Sequence, residues 1–231
     1  MNYLRWLLTV LLAWGATVPG PAQVTRTANR PEQENRSPPR KYQEGPLTVR
    51  DFRGKVPRDA EGKANTLLAF TKTDFRYNWK STFTRRNRKH YLTATEIDLY
   101  SVMLPQHSWN CAPRDRQLMD HEQGHFDITE TQIRKAILQL KAPSSRRLFR
   151  SSGNSRTRAV QRFEENLIRF LEPFVSASRK RHEHYDKVTR HGRIQAAQEH
   201  ERKKQKLELQ GLAKQLRSQD SSSHRSQTST E

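Results

Sequence analysis

The chain has 231 residues, long enough for one domain of ordinary size with its own core, yet only 32% of them are hydrophobic and 29% are charged. Part of the chain must therefore be solvated tail or linker. The single cysteine, Cys111, excludes both an intramolecular disulfide and a cysteine-built zinc cage, and a net charge of +19 favours anionic partners.

Arg5 precedes an apolar run, Trp6 to Trp14, and small and turn-forming residues follow as far as Gly20-Pro21-Ala22-Gln23. That order predicts an export signal over residues 1–22, cleaved after Ala22 or near Gly15. The run is too short for an ordinary membrane span, although an uncleaved anchor is the alternative. The expected location is secreted or periplasmic. Residues 23–45 are polar and rich in Arg, Glu, Asn and Pro, as a flexible linker is.

The segment 46–200 reads as the folded domain. Pro46 to Phe52 alternates like a half-buried strand, and two longer aromatic-rich segments, Thr66 to Trp79 and Tyr91 to Leu104, predict further strands. The Arg- and Asn-rich segment near 85–90 separates the last two. From Pro113 the period changes to helical: Leu118, Glu122, His125, Thr129, Ile133, Ala136, Ile137 and Leu140 form one stripe, with Pro143 beyond its end. Residues 144–156 read as a loop. A second helix carries Val160, Phe163, Leu167, Phe170, Leu171 and Phe174, and Pro173 is expected to end or kink it. A third, Lys- and Glu-rich helical stretch runs from about Arg193 to Leu216, and the Ser-rich tail after Ser218 is expected to be disordered. The fold class is α+β: a small antiparallel sheet packed against a zinc-binding helix and a second helix, with a basic helical extension over 201–231.

The string Asp120-His121-Glu122-Gln123-Gly124-His125-Phe126-Asp127 carries the chemistry. Residues four apart on a helix lie about 40° apart around its axis, so His121 and His125 project neighbouring imidazoles toward one point, where they can grip Zn²⁺. Glu122 stands beside the first ligand. It can take a proton from a zinc-acidified water attacking a carbonyl and return it to the leaving amine. Catalytic zinc needs a third protein ligand, and position 131, where a third His would close the short pattern, is Thr. The first candidate is His191, in Tyr185-Asp186-Lys187-Val188-Thr189-Arg190-His191-Gly192. Glu164 and Glu165 on the second helix are the alternative. Asp127 is a candidate to orient a ligand imidazole, and Tyr185 a candidate catalytic donor to an oxyanion.

These residues resemble the family of predicted bacterial secreted zinc-dependent proteases. The resemblance runs from about Pro46 to about His200. It includes Leu-Thr-Val-Arg-Asp-Phe-Arg-Gly at 47–54, the pair Ser108-Trp109, His-Glu-Gln-Gly-His-Phe-Asp at 121–127 and Tyr-Asp-x-x-Thr-x-His-Gly at 185–192. It implies an exported peptidase with zinc on His121 and His125, catalytic Glu122, and a protein or peptide substrate. Two non-peptidase alternatives stand beside it: a metal-stabilised envelope binding protein without catalysis, and an exported basic protein that binds anionic polymer. The basic clusters 85–89, 179–181 and 202–204 could meet such a polymer or a membrane surface. None lies in a recognisable nucleic-acid module, so specific nucleic-acid recognition is not expected.

Overall fold

A computed structural model of the chain describes residues 24–26, 37–56 and 67–228. The expected signal, residues 1–22, lies outside the described residues. The expected linker, 23–45, is described at 24–26 and 37–45, and it is not a free linker there: residues 24–26 and 40–41 pair with the sheet, and Tyr42–Glu44 is a 3₁₀ turn. No helix among the described residues is long and apolar enough to cross a membrane.

The architecture is α+β, as the patterning predicts. Its centre is a long antiparallel hairpin, β4 (Thr73–Arg86) and β5 (Lys89–Met103), in register from Thr73↔Met103 to Arg86↔Lys89 with one irregularity at Lys80/Ser81. Asn87 and Arg88 turn it with φ of 48° and 60°, the two positive values a tight hairpin needs to match strand twist. β1 (Val24–Arg26) lies parallel to β4, and β2 (Arg40–Lys41) and β7 (Arg150–Gly153) pair antiparallel with β5. A separate two-stranded piece joins β3 (Ala69–Phe70) to β6 (Trp109–Asn110).

Two helices, α1 (Arg116–Lys141) and α2 (Arg156–Thr189), pack on the sheet, and α3 (Gln195–Thr228) packs on those helices. Asp115 caps α1 by accepting from the Leu118 N–H at 2.9 Å, and Ser155 caps α2 by accepting from the Arg158 N–H at 3.1 Å. The main core lies between one sheet face and the apolar stripes of α1 and α2. It includes Phe75, Tyr77, Leu92, Leu99, Ile133, Phe163, Leu167 and Leu171. A smaller cluster of Leu47, Met103 and Phe126 seats the N-terminal segment on α1, with the Tyr42 ring edge-on to Phe126 at 5.0 Å.

Further details depart from the sequence patterning. Residues 49–51 form a 3₁₀ turn, not a strand, because Asp51 accepts from the Thr48 N–H at 2.7 Å and from its hydroxyl at 3.0 Å, a local alternative to ladder pairing. The predicted strand from Thr66 is cut at Thr71-Lys72, where the Lys72 N–H donates to Ser108 Oγ at 2.9 Å. The expected loop 144–156 contains a 3₁₀ helix, Pro143–Phe149, and β7.

The largest departure is α2, which runs through Pro173 to Thr189. A mid-helix proline costs about 3 kcal/mol or more. Here Pro173 and Arg169, whose carbonyl it deprives of a helical partner, are both exposed residues, while Leu171 and Val175 on either side are buried in the core. Packing therefore outweighs the break. α3 continues as helix to Thr228, past Ser218 where the sequence predicts a disordered tail, and its basic stretch after residue 200 lies on α1. Leu209 and Leu212 are buried, and the Arg134 guanidinium donates to the Leu209 carbonyl at 2.9 Å.

Candidate metal centre

The site forms where α1 crosses the C-terminal half of α2. From α1 come His121 and His125, one turn apart; from α2 comes Asp186. His121 Nε2 and His125 Nε2 each lie 3.1 Å from Asp186 Oδ1 and 3.2 Å from each other. Three potential ligand atoms thus form a nearly equilateral triangle, and these are the residues among those described whose donors could together hold a metal ion.

A tetrahedral shell with ligand bonds of about 2.0–2.1 Å has edges of roughly 3.3–3.4 Å. The triangle is within a few tenths of an ångström of that. Two imidazoles and one carboxylate also make the three-ligand set that leaves a fourth position open. The residues present therefore fit a small divalent cation.

The electrostatics of His121 and Asp186 agree, while His125 is held toward its protonated form until a cation displaces that proton. Burial lowers the His121 pKa to about 4, against the opposing contact with Asp186, so its ring is neutral and has a lone pair to give. Burial also raises Asp186, but the His125 charge and the hydrogen bonds from His121, His125 and His191 outweigh it and hold the carboxyl well below its usual range. For His125, burial pulls downward, and the charge and hydrogen bond of Asp186 reverse the sign.

The two imidazoles are held by different means. His121 is 1% exposed and its Nδ1 has no hydrogen-bond partner. Contact fixes its ring: Tyr185 stacks on it at 4.7 Å and 14°, and a Cβ at Gly192 would lie 3.1 Å from His121 Cβ and Cγ. Tyr185 in turn needs Gly124, where a Cβ would stand 2.5 Å from the Tyr185 hydroxyl. The glycine inside the His-Glu-Gln-Gly-His string thus lets α2 approach closely enough to brace the first imidazole. His125 is held by hydrogen bonding. Its Nδ1 is 2.8 Å from His182 Nδ1, and His182 Nε2 is 3.2 Å from Thr129 Oγ1, itself 2.7 Å from Thr73 Oγ1. Burial and the neighbouring His125 keep His182 well below the usual histidine pKa.

Glu122 is buried and accepts a 2.6 Å hydrogen bond on Oε2 from the Thr71 hydroxyl, at the break between β3 and β4. Burial raises its pKa, against His125 and the Thr71 hydrogen bond. Such a carboxyl holds a proton more readily than a solvated one.

His191 Nδ1 lies 3.3 Å from Asp186 Oδ1, and its side chain is 54% exposed against 29% for Asp186. The structure therefore brings His191 to the outer edge of the cluster and Asp186 to its inside. Arg190, His191 and Gly192 all have positive φ, 48°, 54° and 82°, so the α2–α3 connection turns sharply here. The Gln117 amide donates to the Gly192 carbonyl at 2.6 Å and ties this turn to α1.

Glu164 and Glu165 do not approach the site. They precede Asp186 by 22 and 21 residues (186 − 164; 186 − 165) on the same continuous helix, a separation of about 30 Å. The helical-Glu alternative is overturned by the unbroken α2. Asp127 accepts from the Tyr42 hydroxyl at 2.9 Å, the Gln123 amide at 2.6 Å and Arg202 at 2.5 Å. It joins α1 to α3 and to the N-terminal segment and does not orient an imidazole. The Tyr185 hydroxyl is buried against Gly124 without a partner, so in this arrangement the residue is a wall of the site.

Asp186, His182 and Thr71 escaped the sequence reading. His182 and Asp186 have the same i, i+4 spacing as the motif histidines. That signal becomes visible only once residues 174–189 are known to be helical. Comparison with protein-family models, curated proteins and solved structures finds no match to this chain.

Proposed function

We propose that the chain is a zinc-dependent hydrolase of peptide or related amide bonds, exported by its N-terminal segment. The carrying observation is the triangle of His121 Nε2, His125 Nε2 and Asp186 Oδ1 with a buried carboxyl, Glu122, next in sequence to the first ligand. His121, His125 and Asp186 hold the ion in this reading. Zinc bound there supplies Lewis acidity toward a carbonyl oxygen and makes water a stronger acid. Glu122 takes the proton of the attacking water and returns it to the leaving amine. Thr71 engages one oxygen of Glu122 and leaves the other to carry that proton. Tyr185 braces His121 and is a positioning residue here. The resemblance to secreted zinc-dependent proteases supports the same reading.

A second reading has one observation in its favour. His191 stands 3.3 Å from Asp186, close enough that a side-chain rotation could close the shell and make the site structural. Two measurements separate the readings. Metal analysis of the purified chain is expected to give about one zinc per molecule. Glu122→Gln is expected to keep that metal while losing at least roughly 10²-fold in turnover on a peptide library. Unchanged hydrolysis in that variant, or no hydrolysis by the zinc-loaded parent chain, would favour the closed site.

A further inference from the structure

Two basic segments far apart in sequence meet at the end of the molecule remote from the metal centre. The β4–β5 hairpin tip exposes Arg85, Arg86, Arg88 and Lys89. β7 follows beside it, with Gly153 opposite His90, and delivers the chain straight into the first turn of α2. Gly153 is required there, since a Cβ would meet the Ala159 backbone nitrogen at 2.7 Å. The first turn of α2 then adds exposed Arg156 and Arg158, and the Arg156 guanidinium lies 5.5 Å from the Phe83 ring centroid. No Asp or Glu occurs anywhere in residues 75–95 or 131–163. Among the described residues, none of these six cations is ion-paired with a carboxylate.

This arrangement works against the helix that carries it. The N-terminus of α2 has the positive end of its macrodipole there, with two arginines and no acidic residue in the first turn. Cations at that end are destabilising, and an anion brought to it relieves both the dipole and the arginines. The crowding of like charge therefore makes sense as one half of an ionic contact.

We infer that this hairpin end is a docking surface for an anionic lipid bilayer. A flat array of mobile headgroups can satisfy cations spread over a strand turn and a helix end, whereas a nucleic-acid strand is tracked by a groove with rings for base stacking. Residues 84–90 offer no Phe, Tyr or Trp for stacking. Tyr91, 38% exposed just behind the tip, is the amphipathic ring type favoured at a bilayer's polar boundary. Docked in this way, the chain holds Asp186, 30 residues along α2 from Arg156 (186 − 156), about 45 Å from the surface-bound end.

The test is co-sedimentation of the full chain with vesicles of phosphatidylcholine alone or with roughly one-third phosphatidylglycerol. The reading is the difference between the two, which removes any contribution of the N-terminal apolar run. Each cation near an anionic surface is worth about five-fold in partitioning, so replacing Arg85, Arg86, Arg88 and Lys89 together by Ser is expected to weaken the anionic component ~100-fold or more. Arg156→Ser with Arg158→Ser should weaken it about 10-fold or more without harming α2, and carries the test if the hairpin variant does not fold. Lys203→Ser with Lys206→Ser on α3 is the matched control, expected to change binding less than about two-fold. Anionic binding that survives both hairpin-end variants, or falls equally with the α3 control, overturns the proposal. Binding of a short DNA duplex that is tighter than vesicle binding and lost in the same variants would reassign the surface to nucleic acid.

Discussion

His125 Nδ1 and His182 Nδ1 are 2.8 Å apart, both side chains half-buried, and one of the two nitrogens must carry the proton between them. If His125 Nε2 gives its lone pair to a metal, the proton on His125 sits at Nδ1, and His182 accepts it. His182 then has its own proton at Nε2, facing Thr129 Oγ1 at 3.2 Å. The chain of contacts accommodates the tautomer of His125 that can bind a metal, as partners of ligating histidines commonly do.

His182→Leu should therefore weaken zinc binding about 10–100-fold in a chelator competition titration. His182→Asn, whose side-chain oxygen can stand near the lost Nδ1 and accept from His125, should recover a good part of that. Equal affinities for the parent and the Leu variant would show that His182 only fills space. In the zinc-loaded parent, nitrogen NMR of the histidine rings should find His125 protonated at Nδ1 and His182 at Nε2.

Gly124→Ala puts a methyl group where the Tyr185 ring lies, 2.5 Å from its hydroxyl. Alanine in a helix interior normally gains about 1 kcal/mol over glycine. Overpacking here costs about 1–3 kcal/mol and should win, lowering Tm. In a Tyr185→Leu background the methyl has room, and the same substitution should become neutral or stabilising. A Tm loss of equal size in both backgrounds would mean that the glycine serves something other than the ring.

Glu208 fastens α3 to both other helices, accepting from Lys135 at 2.7 Å and Arg181 at 2.5 Å. Burial raises its pKa, but those two cations outweigh it and lower the carboxyl below its ordinary value. A carboxyl lowered on folding contributes stability that is present above its unfolded pKa, about 4.3, and lost as pH falls through the folded value. Denaturant unfolding of the parent and Glu208→Gln should show a stability gap near neutral pH that closes as pH is taken below about 4. A gap that stays constant with pH would mean that the ion pairs contribute nothing.

The sheet and the motif helix were legible because each follows one period. β4 alternates Phe75, Tyr77 and Trp79 toward the core, and α1 repeats every three to four residues from Leu118 to Leu140. The site was legible only as far as α1. Its other half is on α2 beyond Pro173, a residue whose local chemistry argues for a helix end. Tertiary burial of Leu171 and Val175 overrides that signal. With the helix mistakenly ended, His182 and Asp186 lose their shared face, and His191 beside the turn-forming Gly192 looks the better ligand. The docking of α3 on α1 was hidden for a different reason. Its contacts include buried Gln198 and Gln205 and half-buried Arg202, polar residues that no apolar stripe reveals.

The choice between Asp186 and His191 is open to direct measurement. Asp186 Oδ1 is 3.1 Å from both motif nitrogens, and His191 Nδ1 reaches the cluster through Asp186, at 3.3 Å. If Asp186 is the third ligand, Asp186→Ala removes a charged donor and leaves two neutral imidazoles, so zinc affinity should fall by several orders of magnitude. His191→Ala removes a hydrogen bond to that ligand, and a loss of about 10-fold is expected, in the range of outer partners of metal sites. The reverse order, with His191→Ala losing the metal and Asp186→Ala keeping it, would give the third position to His191 and make Asp186 its orienting partner. Comparable severe losses in both would mean a four-ligand closed site. Cobalt substitution reads the same question without mutation: the visible spectrum of the cobalt-loaded chain should respond to added azide or thiocyanate if a coordination position is open, and stay unchanged if His191 fills it.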